Sequence, residues 1–144
     1  MVRCEAMSNL IAIGIGCRKN CSGAVLAQLV SRTLVSWPRD LRMLPLRSLF
    51  TIEDKRGDAG MIEAAEALGM DLAFLSREAL RDATSRVQTP SVRAQRLFGV
   101  ASVAEASALA GGGPNAALIV PRTSENGATC AIAADLSLLV DHQP

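Results

Sequence analysis

The residues best suited to chemistry gather at a few turns. Gly14-Ile15-Gly16-Cys17-Arg18-Lys19-Asn20-Cys21-Ser22 follows a short apolar run. Its glycines allow close backbone approach, and a helix starting near Ser22 offers unpaired N–H groups with partial positive charge. With Arg18 and Lys19 alongside, Gly14, Gly16 and Cys17 outline a seat for a carboxylate or phosphate. An ordinary strand-to-helix turn with solvated basic side chains explains the same spacing. No dinucleotide fingerprint is met, because Lys19 replaces its third glycine, and no G-K-[ST] follows. A second turn sets Lys55 and Arg56 among Glu53, Asp54 and Asp58. Here a local ion pair worth under about 1 kcal/mol is the simpler account of Lys55, and a helix N-cap that of Asp58. Glu105 suits a general base, or equally the last position of a Ser102-Val103-Ala104-Glu105 capping box. Arg122, directly after Pro121, is a third candidate anion contact. Cys17 at a helix N-terminus has the placement of a nucleophile. The single histidine, His142, lies far along the chain, so His-assisted nucleophilic catalysis is not expected.

Elements that position these residues alternate between strands and helices. Leu10 to Ile15 reads as a buried strand, followed by a helix with an apolar stripe at Val25, Leu26, Leu29, Val30, Thr33 and Leu34 that closes at Trp37-Pro38. Leu46 to Ile52 is a second strand. The next helix turns Met61, Ile62, Ala65 and Leu68 inward, Glu63 and Glu66 outward, and stops at Gly69. Asp71 to Leu75 is a third strand, with short helices from Ser76 and Ser91 and an alanine-rich helix from Ser102 to Gly111. Ala116 to Val120 and Thr129 to Ala134 complete the strands, joined by a loop of about eight residues containing Asn126-Gly127. The pattern predicts an α/β fold: three layers, α/β/α, around a mixed, mainly parallel sheet of about five strands. Residues 9–135 form the domain, 1–8 a flexible extension and 136–144 a tail whose Leu136, Leu139 and Val140 fit a helical stripe.

Composition narrows the function classes. A chain of 144 residues, 49% hydrophobic and 20% charged, builds one core and is too apolar for intrinsic disorder. A net charge of +1 recruits neither nucleic acid nor an anionic membrane, and three Phe, one Trp and no Tyr make a poor base-stacking platform. The longest uncharged run, Ala106 to Pro121, is broken by Gly111-Gly112-Gly113-Pro114 and is too short to span a bilayer. The run before Cys17 is short, with Arg3 countered by Glu5, so no export signal is expected. The expectation is a cytoplasmic protein, with Cys4, Cys17, Cys21 and Cys130 as thiols. No C-x-x-C pair occurs, so no zinc site is expected, nor any other metal or cofactor. The sequence leaves monomer and homodimer open.

These segments, in order, resemble the cobalamin-biosynthesis CobE/CbiG C-terminal domain family. The matching pieces are Gly14 to Lys19, Thr51 with Lys55 to Gly60, Phe74-Leu75-Ser76 with Leu80, and Ser91. They continue with Phe98-Gly99-Val100, Ser102 to Ala106, Ala108-Leu109, Val120-Pro121, Ala128-Thr129 and Ala131-Ile132-Ala133. The likeness runs from about residue 10 to 134 and is to the stand-alone, CobE-like form. It implies a place in corrin-ring assembly, with a polycarboxylate precorrin or corrinoid intermediate as partner and other enzymes of that pathway as further partners. Binding of that ligand is implied for Gly14, Gly16, Cys17, Arg18, Lys55, Ser91, Ser102, Arg122 and Thr129. The alternative is a hydrolase of the cobalt-precorrin-5A type, opening a δ-lactone with loss of a two-carbon fragment; Lys55, Asp58 and Glu105 would then be catalytic. A small phosphate- or nucleotide-binding protein is the reading outside the family. The chain departs from the family pattern in two places: Asp58 stands where Glu is favoured, and Arg122 where Lys is. Arg122 keeps the charge and serves a carboxylate at least as well, but it is no proton donor.

Overall fold

The computed structural model describes residues 10–18, 21–36 and 46–135. Lys19, the helix stop at Trp37-Pro38, the extension 1–8 and the tail stripe lie outside them. β1 (Leu10–Cys17) alternates side chains between two covers: Ile11, Ile13 and Ile15 enter one core, with Leu26, Leu29, Val30 and Leu34 of α1 (Gly23–Leu34) and Met61 and Ala64 of α2 (Ala59–Leu68). The opposite face is lined by small residues. There Ala131 and Ala133 of β5 (Ala128–Asp135) meet Ala104 and Ala108 of α5 (Val103–Gly112). A Cβ on Gly14 would sit 1.8 Å from the Ala104 carbonyl oxygen, so only glycine lets α5 lie this close to β1. Helices thus cover both faces of the sheet, in three layers.

The sheet has five strands in the order β3-β2-β1-β5-β4, with β2 at Leu46–Ile52, β3 at Leu72–Leu75 and β4 at Ala116–Glu125. β1 pairs in parallel with β2 and β2 with β3, whereas β5 is antiparallel to both β1 and β4. Only β5 therefore runs against the other strands. β1, β2 and β4 all deliver their C-terminal ends to one edge.

Local chemistry sets most boundaries. The side chains of Ser22, Asp58, Ser76, Ser91 and Ser102 accept backbone N–H groups at the starts of α1, α2, α3 (Arg77–Asp82), α4 (Val92–Phe98) and α5. Gly69 and Gly99 end α2 and α4 at left-handed φ values of 66° and 68°. Two expectations are corrected. The loop before β5 is not eight residues long: pairing continues to Glu125 opposite Ala128, and Asn126 and Gly127, both at positive φ, make a tight two-residue turn. Pro121 resembled a strand end because it removes an N–H, but β4 is an edge strand whose register shifts there. Ile62 does not face inward; it is 43% exposed, because Ala64 rather than Ile62 shares the buried stripe with Met61 and Ala65. Among the described residues no helix is long and apolar enough to cross a membrane.

Candidate functional site

Thr51 donates its hydroxyl to the Ile15 carbonyl at 2.7 Å, inside the protein, and so joins β2 to β1 where both approach this edge. Beyond it the chain turns at Arg18, whose N–H donates to Gly127 at 3.0 Å and whose carbonyl accepts from Cys21 at 3.2 Å. The β4–β5 hairpin is thereby clasped to the end of β1. After β2, the short 3-10 turn Glu53–Lys55 points Lys55 and Arg56 different ways. Arg56 lies over the Phe74 ring, 4.8 Å from its centroid.

At this edge opens a cavity of about 370 Å³. Gly16, Cys17, Arg18 and Lys55 line it from the β1 and β2 ends, and Arg122 and Thr129 from the hairpin. Ser91 and Ser102 line it at the starts of α4 and α5. Gly16 pairs with Thr129 across the strands, and a Cβ there would approach the Thr129 hydroxyl to 2.7 Å. The first turn of α5, Val103 and Ala104, also faces the cavity and adds the partial positive charge of a helix N-terminus.

Three expected site residues stand elsewhere. Gly14 is packed beneath α5. Asp58 spends one carboxylate oxygen on the N–H groups of Gly60 at 2.9 Å and Met61 at 3.3 Å, as N-cap of α2. Glu105 is fully buried: its carboxylate accepts from the backbone N–H groups of Gln88, Thr89 and Arg122, each at 2.8 Å. The capping box is therefore only half made. Ser102 Oγ accepts the Glu105 N–H at 3.2 Å, while the Glu105 carboxylate turns to three distant donors. Burial alone pushes the Glu105 carboxyl up, but the N–H groups of Arg122, Thr89 and Gln88 together outweigh it and hold the group below the ordinary carboxylate range.

Electrostatically the cavity is lopsided. Arg18, Lys55, Arg93 and Arg122 line it, and none of them forms an ion pair among the described residues. Glu125, the acidic residue of the described lining, is paired with Arg32. Cys17 is no thiolate: burial first, and then its hydrogen bond with Cys21, push its thiol up to about 12. Sequence reasoning missed Arg93, Leu97 and Asn126 as lining residues. Helical phase was the available signal for the first two, since Arg93 and Leu97 lie one turn apart on α4.

A family model described as cobalamin synthesis G C-terminus matches residues 11–133. The chain belongs to this family. Among curated members, protein CobE of Sinorhizobium sp is 28% identical over 131 residues, covering 89% of this chain and 82% of CobE. Cobalt-precorrin-5A hydrolase of Priestia megaterium is 27% identical over 117 residues, 81% of this chain. The chain spans only 30% of that hydrolase's length. A crystal structure of CobE, described as a protein from the cobalamin (vitamin B12) biosynthetic pathway, superposes with a TM-score of 0.77 at 39% identity, covering 86% of this chain and 89% of CobE. Cobalamin biosynthesis protein chiG from Agrobacterium tumefaciens str. C58 gives 0.61 at 27% identity, covering 86% and 97%. The likeness to CobE thus runs over most of that protein's length.

Proposed function

We propose that this protein holds a polycarboxylate precorrin or corrinoid intermediate of cobalamin biosynthesis, gripping its acetate and propionate arms. The observation that carries the proposal is the convergence of Arg18, Lys55, Arg93 and Arg122, from four separate turns and elements, on one cavity, none of them ion-paired among the described residues. Several cations that line one concave site focus their field there and attract anions more than the same charges scattered over the surface would. Arginine at position 122 suits bidentate carboxylate binding. Membership of a cobalamin-synthesis family supports this choice of ligand class.

The hydrolytic alternative needs a carboxylate base beside the cations. Asp58 and Glu105 are the two proposed from sequence; neither lines the cavity, and both carboxylates already accept backbone N–H groups. That weighs toward binding over turnover. Titration with hydrogenobyrinic acid separates the two. Binding predicts a shift of the visible spectrum that weakens with added salt and weakens about tenfold or more in Arg18→Ala and Lys55→Ala. A flat titration with folded protein overturns it. Release of a two-carbon product from a precorrin-5-level lactone would move the assignment to hydrolysis.

A further inference from the structure

The cavity has two unlike walls. One carries Arg18, Lys55 and Arg122 with Thr129. The other is a single face of α4, made by Arg93, Ala94, Leu97 and Phe98 at positions i, i+1, i+4 and i+5. Leu97 lines the cavity yet remains 51% exposed. α4 is lightly anchored, with Ala94 its one buried residue. Its ends are tied by the Ser91 N–H to Ala101 at 2.7 Å and by Arg81 to the Gly99 carbonyl at 3.3 Å. Arg77, bonded to Asp54 at 3.1 and 2.5 Å, holds the Phe98 ring from 5.7 Å.

A small anion has no use for such a wall. Cations and N–H groups suffice for phosphate or a lone carboxylate, and an apolar side chain left in water beside them contributes nothing. A flat ring with apolar faces and a carboxylated rim uses both walls at once. We infer that the α4 face centred on Leu97 receives the face of a macrocycle whose carboxylate arms reach Arg18, Lys55 and Arg122, with Arg93 taking a further arm. This rests on the binding function proposed above and adds to it the surface that takes the ring itself, with the macrocycle held by one edge. A volume of about 370 Å³ suits an edge, leaving the rest of the ring outside.

The test uses the full chain, with uroporphyrin (an octacarboxylate porphyrin) as the ring probe and butane-1,2,3,4-tetracarboxylate as the ring-free one. Leu97→Ser is expected to weaken uroporphyrin binding about tenfold while changing tetracarboxylate binding by less than about twofold. Leu97→Phe should retain porphyrin affinity. Val92→Ser, on the same helix but 75% exposed and away from the cavity lining, should change neither. If Leu97→Ser binds uroporphyrin as well as the wild type while Arg122→Ala binds it weakly, the inference about α4 is overturned and the proposed function stands. If the folded wild-type chain takes up no uroporphyrin at all, the tetrapyrrole reading fails and this inference with it.

Discussion

The Glu105 carboxylate and the Arg122 backbone N–H meet at 2.8 Å although 17 residues separate them. The other carboxylate oxygen holds Gln88 and Thr89, so one buried side chain fixes both β4 at Arg122 and the segment leading to Ser91. Glu105→Gln turns an amide N–H₂ toward at least one of these donors. The expected loss is about 1–3 kcal/mol in urea denaturation at pH 7. The native carboxyl is held below its ordinary range, so its stabilisation is complete above the unfolded value near pH 4.3 and is lost as pH falls through the native one. Glu105→Gln should therefore flatten the acid side of the stability curve. An unchanged slope between about pH 5 and 3 would contradict this role.

Lys55 and Arg56 are neighbours with different surroundings, which makes them an internal control. Lys55 lines the cavity; Arg56 lies over Phe74. Lys55→Ala should weaken uroporphyrin binding and reduce its salt dependence, whereas Arg56→Ala should leave both within about twofold. Equal losses would mean that long-range charge, not the cavity, drives binding.

Gly14→Ala places a methyl group 1.8 Å from the Ala104 oxygen and 2.6 Å from the Ala108 nitrogen. These are backbone atoms of α5, so the helix itself has to move. A loss of about 3 kcal/mol or more is expected, read as a fall in Tm. Gly57→Ala, with nothing within 4 Å, should shift stability by no more than about 0.5 kcal/mol.

With its thiol pushed up to about 12, Cys17 stays protonated at neutral pH. The thiolate fraction at pH 7 is on the order of 10⁻⁵. Alkylation by iodoacetamide, followed by peptide mass mapping, should be slow at pH 7 and rise about tenfold per pH unit through the alkaline range. Rapid neutral labelling would restore Cys17 as a candidate nucleophile.

Much of the fold was legible because its signals are local. Leu46–Ile52 announced itself by apolar, β-rich composition, and the five capped helix starts by Ser or Asp before an apolar stripe. The hairpin misled because Pro121 looks the same in sequence whether a strand stops or, as here, passes a register shift on an open edge. Arg18, Lys55 and Arg122 were readable as cations after strands. That they line one cavity depends on strand order, which no local signal carries. Glu105 was ambiguous for the same reason: its partners are backbone N–H groups from residues 88, 89 and 122, and backbone leaves no mark in composition.

Strand β5 is inserted between β1 and β4, and its Thr129 pairs with Gly16, a residue made more than a hundred positions earlier. During synthesis the first strand must therefore wait, with one hydrogen-bonding edge open, until β5 has left the ribosome. Such long-range pairing slows folding and exposes a nascent chain to wrong partners. A chain stalled after α5 would already carry Arg18 and Lys55, yet it would lack both β4 and β5, the strands that carry Arg122 and Thr129.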